Sequence, residues 1–157
     1  MNGYIVLAVA SSGIASLLLP GGRTAYSQFK IPFNLYENFT CPIPYGSELA
    51  SLLQITSLII WDEAPMMNWY AFEAVDQTLK DLMKAVNPNL EEKLFGGKIV
   101  VFGGDFWQIL SVIIKGGCED IVGSCLYRST LWKYVNIMKL SINIHLLNAT
   151  YNSNTIE

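Results

Sequence analysis

The chain has 157 residues, of which 52% are hydrophobic and only 15% are charged. Because domains commonly contain about 100–200 residues, this length predicts a single domain with an ample core. The composition excludes disorder over most of the chain. The formal net charge of −3 excludes a strongly basic nucleic-acid binder of the histone type, so any contact with a polyanion must be local.

Cysteine and histidine are scarce in this sequence. The cysteines Cys41, Cys118 and Cys125 fit neither a CxxC pair nor a disulfide framework, and we expect an intracellular, reducing compartment. The single histidine, His145, excludes His-rich zinc sites and most catalysis that uses histidine as the acid or base.

The opening stretch, residues 4–19, is apolar enough to raise the question of a targeting segment. No basic segment precedes it, and Ser11-Ser12-Gly13 interrupts it well short of the ~20 apolar residues that a membrane span needs. We therefore expect a buried strand followed by a turn, and no membrane partner.

Four runs of β-branched and aliphatic residues predict strands. These runs are residues 4–10, 56–61, 98–102 and, more weakly, 136–140. Runs that are apolar without alternation are typical of strands buried on both faces, as in a parallel sheet. Ligands bind beyond the carboxyl ends of such strands, so we expect the chemistry where the first three runs end, in Ser-Ser-Gly, Asp-Glu and Gly-Gly-Asp.

Helical patterns lie between these strands. Ser47 is a predicted N-cap for a helix over residues 48–54, and Asn68 is one for a helix over residues 69–86. A short helix is expected over residues 128–134. Because strands and helices alternate along the chain, the sequence predicts an α/β domain.

Two adjacent acidic residues, Asp62 and Glu63, follow the second predicted strand. In nucleotide hydrolases the first acid of such a pair holds Mg²⁺, and the second polarises the attacking water. A pair that merely ends a strand and favours a helix N-terminus explains these two residues equally well. The turn Gly103-Gly104-Asp105, followed by Gln108, favours the nucleotide interpretation, because it places a further acid and an amide after another strand.

These motifs together resemble the Pif-one-type ATP-dependent DNA helicases, a RecD-like group of superfamily one that includes the Helitron-type plant enzymes. Residues 9–16 and 22–32 resemble the segments that grip single-stranded DNA in that family. Residues 62–66 (Asp-Glu-Ala-Pro-Met) resemble its Walker B box, and residues 103–110 resemble its coupling motif. The similarity runs from about residue 5 to residue 146, in the order and spacing of the family.

The resemblance implies roles at the nucleotide site. Asp62 would hold Mg²⁺, and Glu63 would activate the water that attacks ATP. Gln108 would sense the γ-phosphate, while Asp105 would support the turn, so that Asp62, Asp105 and Gln108 would contribute to cofactor binding. The implied cofactor is Mg²⁺, with ATP as the substrate.

The resemblance also implies a site for single-stranded DNA. Four small residues would lie near DNA phosphates: Ser12, Gly13, Thr24 and Ser27. Hydroxyl groups and backbone amides suit that contact, and Phe29 or Tyr26 would stack on a base. Taken singly, each serine or threonine is explained as well by an ordinary turn or helix cap.

Several positions depart from the family pattern. The pattern G-x-x-x-x-G-K-[ST] is absent from the 157 residues, and we expect the phosphate loop about one strand–helix unit before Tyr4. Trp107 and His145 stand where the family has arginine, Ser111 where it has proline, and Tyr26 where it has histidine. At the position of His145 the family's arginine contacts the γ-phosphate, and an arginine of that kind raises the rate of phosphoryl transfer about 10³–10⁵-fold. Without it and without the phosphate loop, we expect negligible ATP turnover by this chain alone.

The expected fold is therefore an α/β, RecA-like P-loop NTPase three-layer sandwich with a mostly parallel sheet. It would lack the phosphate-loop strand and helix. Residues 1–147 would form a partial helicase ATPase domain without the rest of the motor, and residues 148–157 would form a disordered tail. The pattern of departures is that of a truncated or decayed gene copy.

By resemblance, the function is ATP-dependent 5′-to-3′ translocation on single-stranded DNA with unwinding. The implied location is the nucleus, or alternatively a mitochondrion, with roles in DNA repair, recombination and telomere maintenance. A non-enzymatic remnant that binds single-stranded DNA or a protein is the alternative function. A product that does not fold stably is a third possibility, because a missing strand would leave unpaired edges and uncovered apolar surface.

Overall fold

A computed structural model of the chain describes residues 3–32, 34–105 and 125–141. Its strands form one sheet in the order β2-β1-β3-β4, and each neighbouring pair is parallel. The strands are β1 (Ile5–Ala10), β2 (Arg23–Thr24), β3 (Thr56–Asp62) and β4 (Ile99–Phe102). The predicted α/β class and parallel sheet are confirmed.

In the described ranges, four α-helices connect or follow the strands. They are α1 (Gly13–Leu18), α2 (Ala25–Phe29), α3 (Glu48–Ile55) and α4 (Trp69–Lys84). Short 3-10 turns lie at Ala64–Met66, Pro88–Leu90, Leu94–Gly97, Leu126–Arg128 and Thr130–Tyr134. Among the described residues, no helix has the length and apolarity required to span a bilayer.

The two predicted N-caps are confirmed. The Ser47 hydroxyl accepts a hydrogen bond from the amide of Ala50 at 3.1 Å, which satisfies one of the free amides at the start of α3. The Asn68 side chain accepts one from the amide of Tyr70 at 2.9 Å. These caps explain why α3 and α4 begin where the sequence predicts.

The core lies on the face of the sheet that carries Ile59 and Trp61, both fully buried. Trp61 packs against Phe72 of α4 with ring centroids 4.6 Å apart, and Phe72 meets Phe102 of β4 edge-on at 5.1 Å. Leu79, farther along α4, is also buried. Because such aromatic pairs add to the burial of apolar area, this layer fixes α4 against the ends of β3 and β4.

The opposite face of the same sheet is apolar and partly exposed in the described residues. Val6 and Ile99 flank Leu58 in register, on the pleat that faces away from Trp61. Val6 is 47% exposed, Ile99 66% and Val101 40%. The strand pattern that predicted burial on both faces is therefore fulfilled on only one face by the described parts of the chain.

One predicted strand is wrong. Residues 136–140 form no strand and make no pair with the sheet, and Met138 and Leu140 are exposed. Asn136 and Lys139 interrupt this run, and the described chain offers it no neighbouring strand. A lone strand is not stable, because its backbone groups have no ladder partners.

The predicted helix over residues 128–134 is replaced by the 3-10 turns Leu126–Arg128 and Thr130–Tyr134. Ser129 separates the two turns, and its hydroxyl donates to the Glu73 carboxylate of α4 at 2.8 Å. The Thr130 amide donates to the same oxygen at 3.1 Å. These tertiary hydrogen bonds explain why the segment does not continue as one α-helix.

The proposed tail, residues 148–157, lies outside the described residues.

Candidate functional site

The carboxyl ends of the strands meet at one edge of the sheet, as predicted. Ala10 at the end of β1 is in register with Asp62 of β3 and with Thr24 of β2. The amide of Gly103 donates to the carbonyl oxygen of Trp61 at 2.8 Å, which brings in the end of β4. This carboxyl edge therefore gathers the polar motifs that follow all four strands.

Asp62 is the last residue of β3, and Glu63 begins the turn that leaves the strand. The amide of Glu63 donates to Oδ1 of Asp62 at 3.0 Å, and the Glu63 backbone is left-handed, with φ 51° and ψ 37°. Left-handed backbone is uncommon for a residue with a side chain, and such positions cluster at functional sites. Pro65 follows in a 3-10 turn, so two carboxylates are held on a rigid turn and both remain partly exposed.

Two glycines allow the end of β4 to approach this turn closely. A Cβ on Gly103 would lie 3.2 Å from Oδ1 of Asp62. Gly104 has φ +138°, and a Cβ there would lie 2.6 Å from Cδ of Pro65. A side chain at Gly104 would be strained by both the backbone angle and this contact, so the geometry of the acidic turn requires glycine at position 104, whereas the contact at Gly103 is only tight.

The donors at this edge suit Mg²⁺ that arrives with a nucleotide. Within the described ranges, no group of three or more His, Cys, Asp or Glu residues could hold a metal ion. Mg²⁺ keeps several waters and commonly uses one or two carboxylates together with substrate phosphates, and Asp62 can supply such a carboxylate. Asp105 follows Gly104 at the same edge and is exposed, whereas Gln108 lies outside the described residues.

Two of the three hydroxyls predicted to contact DNA, those of Ser12 and Thr24, cap the N-termini of two short helices at this edge. The Ser12 hydroxyl accepts from the amide of Ala15 at 3.1 Å, and the Thr24 hydroxyl accepts from the amide of Ser27 at 3.2 Å. A hydroxyl that accepts a capping bond retains its own hydrogen to donate. The Ser27 side chain is exposed, and the space around a Cβ on Gly13 is open. The cap and contact interpretations are therefore compatible.

Phe29 does not stack on a base, and that prediction is corrected. Its side chain is only 1% exposed, and its ring stacks on Trp61 with centroids 5.5 Å apart. The two rings fill the space beneath α2, which is why this aromatic faces the core. Tyr26 is half-buried, and burial raises the pKa of its phenol, so of the two proposed stacking residues only Tyr26 retains solvent access.

Sequence reasoning missed the residues that join the strand ends. The Trp61 indole Nε1 donates to Oγ of Ser11 at 3.1 Å, and the Ser11 amide donates to the carbonyl oxygen of Asp62 at 3.0 Å. A buried tryptophan needs an acceptor for its N–H, so the Trp directly before Asp62 was a signal that a polar partner lies nearby. The sequence alone does not say which residue that partner is.

Comparison with known protein families identifies the family of the chain. A family model described as PIF1-like helicase matches residues 1–157. The chain belongs to this family. No curated protein matches the chain.

Solved Pif1 structures have the same RecA-like fold. One similar structure comes from work on the unwinding of forked double-stranded DNA by two coordinating Pif1 helicases. The chain is 25% identical to it, with a TM-score of 0.67, and the match covers 93% of this chain and 37% of that chain. The chain is also 25% identical to Bacteroides Pif1 in complex with ADP-AlF4, with a TM-score of 0.67. That match covers 96% of this chain and 36% of the Bacteroides chain. Pif1 from Candida albicans is 23% identical to the chain, with a TM-score of 0.57. That match covers 85% of this chain and 28% of the Candida chain.

The chain spans about a third of the length of the Pif1 chains that it matches. It is therefore similar to one part of those motors. The family match establishes a relationship to helicases.

Proposed function

We propose that this chain is a segment of the ATPase core of a DNA helicase that couples ATP hydrolysis to 5′-to-3′ movement on single-stranded DNA. The observation that supports it most is the carboxyl edge, where the turn after β1 is joined to the acidic turn by the hydrogen bond from the Ser11 amide to the Asp62 carbonyl oxygen at 3.0 Å. In α/β sheets this is the edge at which ligands bind. The 25%-identical Bacteroides Pif1 was solved with ADP-AlF4, a nucleotide complex that suits this assignment.

On the nucleotide side, Asp62 would hold Mg²⁺ and Glu63 would orient and polarise the attacking water. The bound ion would neutralise charge on the phosphates of ATP. Asp105 would support the neighbouring turn, and Gln108 would sense the γ-phosphate. The hydrogen bond from the Glu63 amide to Oδ1 of Asp62 restrains the Asp62 carboxylate, which lowers the entropy lost when it engages a ligand.

On the DNA side, the hydroxyls of Ser12 and Thr24 and the exposed Ser27 would donate to phosphate oxygens. Gly13 would allow the strand to approach the backbone, and Tyr26 would stack on a base. Phosphate contacts position a nucleic acid and carry no sequence information directly, so we propose binding without base preference. With 10 Lys and Arg in the chain, the electrostatic contribution is small.

We propose that the 157 residues alone do not turn over ATP. Their sequence contains no G-x-x-x-x-G-K-[ST] loop to cradle phosphates, and His145 stands in place of the arginine that would contact the γ-phosphate. We also propose a relationship to the Helitron-type plant group, and a location in the nucleus or, alternatively, a mitochondrion.

A second candidate function is non-enzymatic binding of single-stranded DNA or of a protein. It is favoured by the intact capped turns at Ser12 and Thr24 in a chain whose sequence lacks the phosphate loop. In this case Asp62 and Glu63 would stabilise the strand-end turn and would contribute nothing to hydrolysis. The two functions thus differ in what the acidic pair does.

The proposed inactivity is tested by a phosphate-release assay on the purified chain with Mg²⁺-ATP, with and without an oligo-dT strand. The Glu63→Gln variant is the control, because it keeps the size of the side chain and removes its charge. Release at the Glu63→Gln level supports an inactive segment. Mg²⁺-dependent release that Glu63→Gln abolishes overturns the proposed inactivity and excludes the non-enzymatic alternative.

A further inference from the structure

Ser11 is held between the turn proposed to contact DNA and the turn proposed to hold Mg²⁺. Its hydroxyl accepts from the Trp61 indole at 3.1 Å, and its amide donates to the Asp62 carbonyl oxygen at 3.0 Å. Ser11 directly precedes Ser12, and Trp61 directly precedes Asp62. Each end of this pair of hydrogen bonds is thus one residue from a proposed ligand contact.

The Trp61 side of this connection is rigid. Trp61 has no exposed surface, and its ring is in contact with Phe29 at 5.5 Å and Phe72 at 4.6 Å between centroids. Its carbonyl oxygen accepts from the Gly103 amide at 2.8 Å. A buried indole N–H that lost its acceptor would be left unsatisfied at a cost in free energy, so a displacement of Ser11 must be accompanied by a displacement of Trp61 or by loss of that bond.

α2 provides a second physical contact with the same indole. Thr24 is the N-cap of α2, and Phe29 is the last residue of the helix. Because Phe29 stacks on Trp61, both hydroxyl caps proposed to face DNA are linked within a few residues to one buried side chain. Packed aromatic rings transmit displacement because protein interiors are close-packed.

We propose that Ser11 is a positioning residue that couples the occupancy of the Ser12-Gly13 turn by single-stranded DNA to the geometry of Asp62. This inference rests on the proposed function and adds to it a route between the two sites. Binding of a phosphate at the turn restrains Ser11, and through its two hydrogen bonds restrains the end of β3.

The indole N–H of Trp61 gives a direct spectroscopic test. The chain contains four tryptophans, so a ¹⁵N-labelled sample gives few indole cross-peaks, and Trp61→Phe assigns the one of interest. Oligo-dT of about 12 nucleotides, within the usual site sizes, is titrated into the full chain. We expect the Trp61 cross-peak to move with the same Kd that fluorescence anisotropy gives for the oligonucleotide.

The coupling itself is measured at the Glu63 amide cross-peak, because that amide donates to Oδ1 of Asp62. We expect saturating oligo-dT to shift this cross-peak in the wild-type chain. Ser11→Ala removes the acceptor of the indole bond but keeps the backbone bond to Asp62, so it should reduce the shift. Ser11→Thr retains a hydroxyl and should preserve the shift, which a merely structural role for Ser11 would not require.

Circular dichroism establishes whether the variants are folded. If Ser11→Ala does not fold, Trp61→Phe serves as the second test, because it removes the donor of the indole bond but retains an aromatic ring. A Glu63 shift of wild-type size in the variant that folds overturns the proposal. So does a Trp61 cross-peak that stays fixed while the wild-type chain binds DNA, a result that leaves the proposed function standing. Absence of any DNA binding by the wild-type chain overturns both.

Discussion

Phe29 and Trp61 stack with ring centroids 5.5 Å apart and ring planes inclined by 24°, which joins the end of α2 to the middle of the core. Phe29→Ala should therefore lower the free energy of unfolding by about 3–5 kcal/mol, the usual cost of truncating a buried phenylalanine. Urea denaturation followed by tryptophan fluorescence measures the change. Tyr4→Ala is the matched control, because Tyr4 is 86% exposed and its loss should have little effect. A Phe29→Ala chain as stable as the control would contradict the assignment of Phe29 to the core.

Gly104→Ala should destabilise the acidic turn. The substitution places a Cβ 2.6 Å from Cδ of Pro65 at a residue with φ +138°, and backbone strain of this kind costs about 1–3 kcal/mol before the clash is counted. Thermal unfolding should show a lower Tm than for the wild-type chain. Gly3→Ala is the control, because a Cβ at Gly3 meets nothing within 4 Å. Equal Tm values for the two variants would refute the close approach of β4 to Pro65.

Asp76 holds the loop before β4 against α4. Its carboxylate accepts from the Phe95 amide at 2.5 Å and pairs with Lys80 at 2.6 Å, and the Phe95 backbone is left-handed with φ 50°. Asp76→Ala leaves a buried amide unsatisfied, so we expect a loss of about 1–3 kcal/mol in the free energy of unfolding. Glu92→Gln removes an exposed carboxylate and should change stability little by the same urea titration. A neutral Asp76→Ala would show that the loop is held by other contacts.

The Cys41 thiol should be inert to alkylation in the folded chain. It is 6% exposed, and burial raises its pKa to about 11. A hydrogen bond with Thr78 lowers the pKa, but its effect is smaller than that of burial. Only the thiolate is reactive, so iodoacetamide at pH 8 should label Cys41 in urea and spare it in buffer, as peptide mass spectrometry can determine. Rapid labelling of the native chain would contradict this burial.

The same pKa fixes a dependence of stability on pH. Below pH 9 the thiol is protonated in both the folded and the unfolded chain, so it contributes no pH dependence. Between about pH 9 and pH 11 the unfolded chain releases its proton first, and the free energy of unfolding should fall as pH rises. Cys41→Ser should remove this contribution from the slope in urea titrations over that range.

The sequence predicted β1, β3 and β4 because each is a run of apolar residues long enough to specify a buried strand. It also predicted that Asp62 and Glu63 would lie at the carboxyl edge, since that position follows from the end of β3 and the parallel sheet. β2 has only two residues, and α1 and α2 are too short for a hydrophobic period to emerge, so local pattern could not reveal them.

Contacts distant in sequence account for the rest. The Trp61–Ser11 hydrogen bond joins residues 50 positions apart, and no local preference encodes such a pair. Phe29 illustrates the same limit: an aromatic beside polar residues can serve a ligand or the core, and only packing against Trp61 decides. The wrong strand at 136–140 had suitable residues but no partner strand in the described chain.

The most direct test of the account is the affinity of the purified chain for a fluorescently labelled oligo-dT, measured by anisotropy at several salt concentrations. Ser12→Ala is compared with Ser47→Ala, because both hydroxyls cap a helix at 3.1 Å but only Ser12 lies at the carboxyl edge. We predict binding with a shallow dependence on salt, a slope of about −0.7 in log K against log salt for each phosphate that a lysine or arginine neutralises, and that Ser12→Ala weakens this binding while Ser47→Ala does not. Binding that ignores salt, that both variants weaken equally, or that is absent would contradict a DNA site at this edge.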